Sequence, residues 1–337
     1  MLNNPALLLF RTKDEDRLHF IAGSAKVNYR LSSNELDYYR VYINGRRTAQ
    51  KLNSLTWNVD DRIEIVKLKD VGAWYNVLQD PDWDPAGVPD LVGAQLPIRM
   101  ALLEPKHWLS PLPNFLPDEK YVGILRTFMD CTTLQSVCDY LFSNMPHTNN
   151  LARVFQGCTS LTTVPQHIFD GIWENLISPS SIFFDSGLTE VPVIFYHDSY
   201  PSCTNVSEMF RNTPIKNVPL SFFDKFTQLV QARATYKETR YLESCPVVFL
   251  NKNTQLEFIN ELFDGSKMLS KSGVVLDFSN CPAMSVLDYF WGNPTDTSIS
   301  ITPCTVKVRR NTSTAALFAD KKANSNYKST FNLQYVD

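Results

Sequence analysis

The groups in this 337-residue chain with the chemistry to hold a metal or attack a substrate are five histidines, seven cysteines and a scatter of carboxylates. The histidines are His19, His107, His147, His167 and His197, and no two stand at a spacing that brings imidazoles together on one helix face or strand. Cys131, Cys138, Cys158, Cys203, Cys245, Cys281 and Cys304 are odd in number and contain no C-x-x-C pair, which argues against both a zinc site and a disulfide framework. They read as free, buried, small apolar side chains. No glycine-rich phosphate loop and no nucleophile elbow occurs. The stretch DPDWDPAG imitates a calcium loop through Asp80, Asp82 and Asp84. Its glycine, however, comes at the eighth position instead of the sixth, and Leu91 stands at the twelfth, where a bidentate glutamate is needed. The expectation is a protein that is not an enzyme, with no catalytic residue, no cofactor and no metal.

What remains is chemistry of contact. Trp74, Tyr75 and Trp83 lie in a Pro/Gly-rich stretch, GAWYNVLQDPDWDPAGVPD. They read either as linker aromatics packed onto a neighbouring domain or as anchors of an interaction loop, since Trp and Tyr are favoured at interfaces. The net charge is −3 with Lys and Arg dispersed, so no nucleic-acid partner is expected. No 18-residue apolar segment occurs, so no membrane insertion is expected. The N-terminal MLNNPALLLFRTKDEDR has too short an apolar run and no basic start, and so does not read as a secretory signal.

The elements that must carry these residues announce themselves by self-similarity. Steps of 27 from Leu134 land on Leu161, Leu188, Ile215, Leu242 and Leu269. Steps from Val137 land on Val164, Val191 and Val218, and steps from Pro165 on Pro192, Pro219 and Pro246. Steps from Phe142 give Phe169, Tyr196, Phe223 and Leu250. Steps from Phe128 give Phe155, Ile182, Met209, Tyr236, Phe263 and Phe290. A further column, Cys131, Cys158, Asp185, Asn212, Thr239, Ser266 and Asn293, is small and polar, as expected of side chains that bond the backbone of a buried turn. Each unit reads as a helical turn (NLARVFQGC, stopped by Gly157), a short strand (SLTTVP, ended by proline) and a second helical turn (QHIFDGIW). Stacked units would pair their strands into a narrow parallel ribbon.

The stretches TFMDCTTLQSVCDYLF, VFQGCTSLTTVPQHIF, EMFRNTPIKNVPLSFF and LFDGSKMLSKSGVVLDF resemble the BspA-like branch of the leucine-rich repeat family. WLSPLPNFLPD, with Leu109, Leu112 and Pro113, looks like a degenerate first unit. The resemblance covers about 108–337. It implies an α/β solenoid of 27-residue leucine-rich repeats, and adhesive surface roles for the family.

Four parts are expected. Residues 1–70 form a small antiparallel all-β domain, a sandwich or barrel that includes a hairpin at Asn44-Gly45. Residues 71–107 connect, 108–303 form the repeats, and 304–337 close the last repeat with an edge strand, CTVKVRR, and a helix, NTSTAALFADKK. Between the Leu and Val columns lie the residues of the exposed ribbon: Gln135, Ser136, Thr162, Thr163, Thr189, Glu190, Lys216, Asn217, Glu243, Ser244, Ser270 and Lys271. Thr162, Thr189, Lys216 and Glu243 are the candidate partner-binding positions, alongside Trp74, Tyr75 and Trp83.

The function expected is that of a phage virion protein, a tail, fibre or head-decoration component made in the host cytoplasm. Its N-terminal region would hold other virion proteins, and its repeats would meet a host surface protein or glycan, with an oligomer possible. The alternative is a cellular repeat scaffold or adhesin that binds a protein partner. An enzyme such as a glycan hydrolase has nothing specific in its favour.

Overall fold

The computed structural model describes residues 17–29, 39–50, 55–67, 94–95, 100–113, 121–197, 199–219, 222–244, 250, 252–285, 288–290, 302–323 and 331–337. Its N-terminal part is an open, antiparallel five-stranded sheet. Strand β1 (Arg17–Ala22) sits at its heart, because Leu18, Phe20 and Ala22 alternate onto one buried face. Strand β2 (Lys26–Tyr29) leaves this sheet and pairs with β5 (Leu55–Trp57). Strands β3 (Tyr39–Ile43) and β4 (Arg46–Arg47) make the expected hairpin, with Asn44 and Gly45 both at positive φ (52° and 76°) as a two-residue turn of this hand requires. Strand β6 (Arg62–Lys67) lies between β3 and β1, and β8 (Pro105–Trp108) lies on the far side of β1. The short β7 (Ala94–Gln95) and β9 (Tyr121–Gly123) pair in parallel. On the second face of the sheet His19 and Glu64 are also buried, and Arg62 Nε donates to His19 Nε2 at 2.6 Å.

Strand β8 straddles the expected boundary at residue 107. Trp108 stacks on Phe20 inside the sheet (centroids 5.7 Å apart, planes 3° apart), while its amide donates to the Ser136 carbonyl of the first repeat at 2.9 Å. The sheet is therefore seated directly on the repeats.

The repeats stack as coils, and each coil is made of turns. In residues 151–158 the amides alternate in their use. Those of Leu151, Arg153, Phe155 and Gly157 donate to Ser178, Ser180, Ile182 and Phe184 of the next coil, at 2.8–3.0 Å. Those of Val154, Gln156 and Cys158 instead close turns three residues back. The remaining amide, that of Ala152, donates to the Asn150 side chain at 3.0 Å, so each is satisfied, as a buried backbone demands. Turning every second amide outward needs left-handed residues at regular intervals. They form two columns: Arg126, Arg153, Ser181, Glu208, Ala234 and Glu261, and then Asp130, Gly157, Asp185, Asn212, Glu238 and Gly265. A non-glycine residue costs roughly 1–2 kcal/mol in this conformation, so the inter-coil bonds and packing must offset a considerable local strain.

The α/β solenoid expected from the sequence is not what forms. Among the described residues the coils hold one single-turn α-helix, Ile194–His197, and two short 3-10 turns, Phe223–Lys225 and Lys267–Ser270, and the one longer helix, Ser313–Ala323, lies beyond them. Leu151, Val154 and Phe155 have helical spacing, but left-handed residues at Arg153 and Gly157 forbid a helix there. Nor does a sheet run along the stack. Coils meet through isolated parallel bridges such as His107↔Ser136, Asn150↔Ser178 and Asn217↔Ser244. The proline column explains this on the ribbon side: Pro219 follows Val218, whose amide reaches the Ser244 carbonyl at 3.2 Å, and proline has no N–H to continue the ladder. The described residues are thus mostly strand and turn, with small antiparallel and parallel sheets at the two ends and neither a closed barrel nor a ribbon sheet among them.

An aromatic spine runs the length of the molecule. Trp57 meets Phe20 edge-on, Phe20 stacks on Trp108, and Trp108 meets Phe128 edge-on at 5.2 Å. Phe128, Phe155, Phe183, Phe210, Tyr236 and Phe263 then stack successively at 5.5–6.0 Å, and Phe290, Phe318 and Phe331 continue edge-to-face. The third and fourth rings of this run are Phe183 and Phe210, not the Ile182 and Met209 of the strict 27-residue column. The spacing along the spine is 27, 28, 27, 26 and 27. The buried polar column slips with it. Ser186 and Thr213 take the places expected of Asp185 and Asn212, and Asn212 Nδ2 bonds Asp185 Oδ1 (2.5 Å) near the surface instead. On the ribbon side Leu161, Leu188, Ile215 and Leu242 hold the strict period and are fully buried. The third coil reconciles the two by a shortened link through Gly187. There an added Cβ would lie 2.3 Å from the Thr159 carbonyl oxygen, a close approach only glycine permits.

The C-terminal sheet is parallel. Strand β10 (Val275–Asp277) pairs with β11 (Cys304–Arg309), and β11 with β12 (Phe331–Val336). The stretch CTVKVRR, expected at an edge, is thus central, and Cys304, Val306 and Val308 are buried. The helix Ser313–Ala323 crosses over between β11 and β12, capped by Thr312 Oγ1, which accepts from the Ala315 amide at 3.1 Å. Leu109, which the degenerate-unit reading places in the Leu column, is 38 % exposed, whereas Leu112 is buried.

Candidate functional site

The ribbon positions come into line on one side of the stack. The buried Leu161, Leu188, Ile215 and Leu242 beneath them fix one outward pair per coil. Thr162, Thr189, Lys216 and Glu243 are all exposed, as are Gln135, Thr163, Glu190, Asn217 and Ser244. Ser136, Ser270 and Lys271 are half-buried. Neighbouring coils touch through these side chains: His107 Nδ1 lies 2.9 Å from Ser136 Oγ, and Ser244 Oγ donates to Asn217 Oδ1 at 2.8 Å. The first half of the row is hydroxyl and amide apart from Glu190. The second half alternates charge. Hydrogen bonding from Lys267 (3.3 Å), reinforced by the Lys267 and Lys271 charges, holds the Glu243 carboxyl below its usual range. A surface of this kind offers hydrogen bonds and short-range charge at regular intervals.

Trp74, Tyr75, Trp83 and the Asp80–Asp84 loop lie outside the described residues. The expected sites therefore divide: the structure brings Thr162, Thr189, Lys216 and Glu243 into one row and gives no placement for the aromatic loop.

The opposite side of the stack carries a charge network in the fourth to sixth coils. Arg211 Nε meets Glu238 at 3.2 Å, Arg233 meets Glu261 at 3.2 Å, and Lys237 meets Glu261 and Asp264 at 3.0 and 2.9 Å. Burial pushes the Glu261 carboxyl up, but the hydrogen bonds and charges of Lys237 and Arg233 outweigh it and leave it lowered. Burial likewise opposes the Lys237 charge, and Asp264 and Glu261 outweigh it, so that ammonium is held above its usual value. These ions neutralise one another and tie coil to coil.

Two exposed features escape the reading by columns. Tyr140 and His167 stack face to face at 5.2 Å on the rim of the first two coils, with His167 Nδ1 3.1 Å from Asp170. Their separation of 27 residues was the available signal. Tyr241, beside the row, is 58 % exposed and occupies a position that is small or proline in the preceding coils.

The six described cysteines are free, and all but the half-buried Cys138 are buried. Burial pushes the Cys138, Cys203 and Cys281 thiols up to about 12, and the Cys158 thiol upward as well, so the thiolate form needed for attack is suppressed at neutral pH. Cys158 Sγ donates to the Phe128 carbonyl of the preceding coil at 3.1 Å, and Cys281 Sγ, outside the small polar column, to the Leu250 carbonyl at 3.0 Å, whereas Thr239 Oγ1 of that column donates to the Tyr236 carbonyl of its own turn at 2.6 Å. Among the described residues no three His, Cys, Asp or Glu side chains gather as a metal site. No helix among them is long and apolar enough to cross a membrane.

No family model, curated protein or solved structure matches the chain. The resemblance of the repeats to the BspA-like pattern thus rests on the residues quoted above.

Proposed function

We propose that this chain is a non-catalytic phage virion component, a tail, fibre or head-decoration protein. It presents the row Thr162, Thr189, Lys216 and Glu243 to a protein or glycan on the host surface, and holds other virion proteins through its N-terminal region. The observation that carries this reading is one outward polar position per coil, in line, on a rod whose interior is a continuous aromatic stack. Such a rod keeps its contact points at fixed spacing before the partner arrives, which lowers the ordering cost of binding. Mixed hydroxyl, amide and charge suit a polar partner met at several points, and an extended row adds weak contacts together.

The test has two parts. The protein is sought in purified particles by mass spectrometry and located by gold labelling. The isolated chain is then titrated onto host cells beside a variant combining Thr162→Lys, Thr189→Lys and Glu243→Lys. The reading expects the chain in particles and at least tenfold weaker binding by the variant. Recovery from cell extract with a cellular partner, and absence from particles, would sink it in favour of the scaffold or adhesin alternative.

A further inference from the structure

Among the described residues the two larger sheets have four edge strands, and three of them are blunted or covered against pairing with another chain. β4 is two residues long, and both are exposed arginines. β8 begins at Pro105, meets β1 across a break in register and is covered on its outer side by the bridge from His107 to Ser136 of the first repeat. β10 is three residues long and ends in Asp277. Proline, charge, brevity and irregular pairing are the devices by which proteins protect sheet edges. β12 has none of them along its own six residues; only the Phe331 carbonyl at its start accepts from a charged group, the Lys322 ammonium. Its six residues, FNLQYV, carry no charge and no proline, and they pair with β11 without a register break over their whole length.

The direction of its backbone groups follows from one bond. The Arg310 amide donates to the Val336 carbonyl at 3.1 Å, so Val336 faces inward, toward β11. Alternation along the strand turns the N–H and C=O of Leu333 and Tyr335 to the open side. Asn332, Gln334 and Tyr335 are exposed there, Tyr335 by 39 %.

We propose that a second copy of this chain pairs along β12, antiparallel, about a two-fold axis through Gln334. The strand is self-complementary in that register. Leu333 comes opposite Tyr335 of the second copy, and the reverse, so both outward-facing residues form hydrogen-bonded pairs and exchange four main-chain bonds in all. Each pair also sets an aliphatic side chain against an aromatic ring, a favourable cross-strand combination. Gln334 comes opposite itself, amide to amide. At the ends, Asp337 of one copy comes opposite Phe331 of the other, where the Lys322 ammonium lies 5.2 Å from the Phe331 ring centroid. The two ends thus meet with opposite charge, and the uncharged strand between them does not repel its own copy.

Light scattering behind gel filtration, on the full chain from about 1 to about 100 µM, reads the mass directly. The wild type is expected to move from monomer to dimer across that range. Tyr335→Lys adds an edge charge, and Tyr335→Pro removes an outward amide while sparing the bonds to β11. Both should lower the association constant at least tenfold with a melting temperature within a few degrees of wild type. Gln334→Cys should oxidise to a covalent dimer, because opposed residues of a non-hydrogen-bonded pair have Cα atoms about 4.5 Å apart, within disulfide reach. Asn332→Cys should give no covalent dimer under the same oxidation. A wild type that is monomeric throughout overturns the proposal. So does a dimer indifferent to both folded Tyr335 variants, or equal cross-linking at 332 and 334.

Discussion

The two long sides of the coil stack are built on different terms. On the turn side alternate amides of each coil donate to the next, buried hydroxyls and thiols bond carbonyls, and the aromatic spine lies just beneath. On the ribbon side coils touch through single bridges and side-chain contacts, and the outward residues are polar and exposed. The turn side also carries the insertion in its second step and the deletion in its fourth, while the ribbon keeps a constant 27-residue beat. Stability is therefore concentrated on one side, and the other is left free to vary in chemistry at constant spacing. That division suits a protein whose work is contact.

Substitutions that cross this division test it. The largest effect is expected for Leu161→Asp, because Leu161 is fully buried beneath the ribbon and an unpaired carboxylate there has no compensation. It should cost more than about 4 kcal/mol and unfold the neighbouring coils. Val164→Asp, two positions beyond the row and only half-buried, should cost clearly less. Urea titration of the two variants separates them, and equal losses would mean that the ribbon has a second core of its own.

Gly187→Ala comes next. Its Cβ would press on a backbone oxygen that cannot swing away, so a loss of about 1–3 kcal/mol is expected in the same titration. A neutral result would mean that the shortened link of the third coil is not fixed where it stands.

This coil also shows what was legible in the sequence. The period, the buried Leu column, the Asn44-Gly45 hairpin and the capped C-terminal helix can all be read from residue types, because each depends on local chemistry or on burial. The slip to Phe183 and Ser186 cannot, since Ile182 and Asp185 fit the strict columns as well as their neighbours do. Only the stacking of successive rings decides. The helical spacing of Leu151, Val154 and Phe155 was real, but it arises equally from turns that present a residue inward every third or fourth step. What separates turn from helix is where the amides go, and that is set by the next coil. Of the candidate sites, the ribbon row was legible because exposure follows from the two buried columns that flank it. The Tyr140–His167 stack was not sought, because neither residue belongs to an apolar column.

Lys237→Met probes the charged part of the turn side. At pH 7 it removes two ion pairs from a half-buried network, and a loss of about 1 kcal/mol is expected after allowance for screening. Glu261 is lowered in the folded state, so its contribution is present above the usual glutamate value and is lost as the pH falls through the lowered one. The raised Lys237 stays charged through the whole acidic range. Wild type and variant should therefore converge in thermal melts as the pH falls to about 3. A gap that stays constant with pH would show that the lysine acts through packing alone.

The smallest effect is expected for Thr162→Lys, within about 0.5 kcal/mol of wild type, since the side chain is exposed. Thr162 is one of the positions assigned to the partner, so its stability effect should be small where its binding effect is large.

Hydrogen exchange by mass spectrometry on Phe155→Ala, with Thr162→Ala as its partner experiment, tests the central claim most directly. Phe155 stacks between Phe128 and Phe183, and its truncation is expected to cost about 3–5 kcal/mol. Protection should fall about a hundredfold or more in residues 124–130 and 181–187, the coils on either side, while Thr162→Ala leaves both unchanged. Loss confined to residues 151–157, or an equal loss in the Thr162 variant, would contradict a stack held together from its turn side.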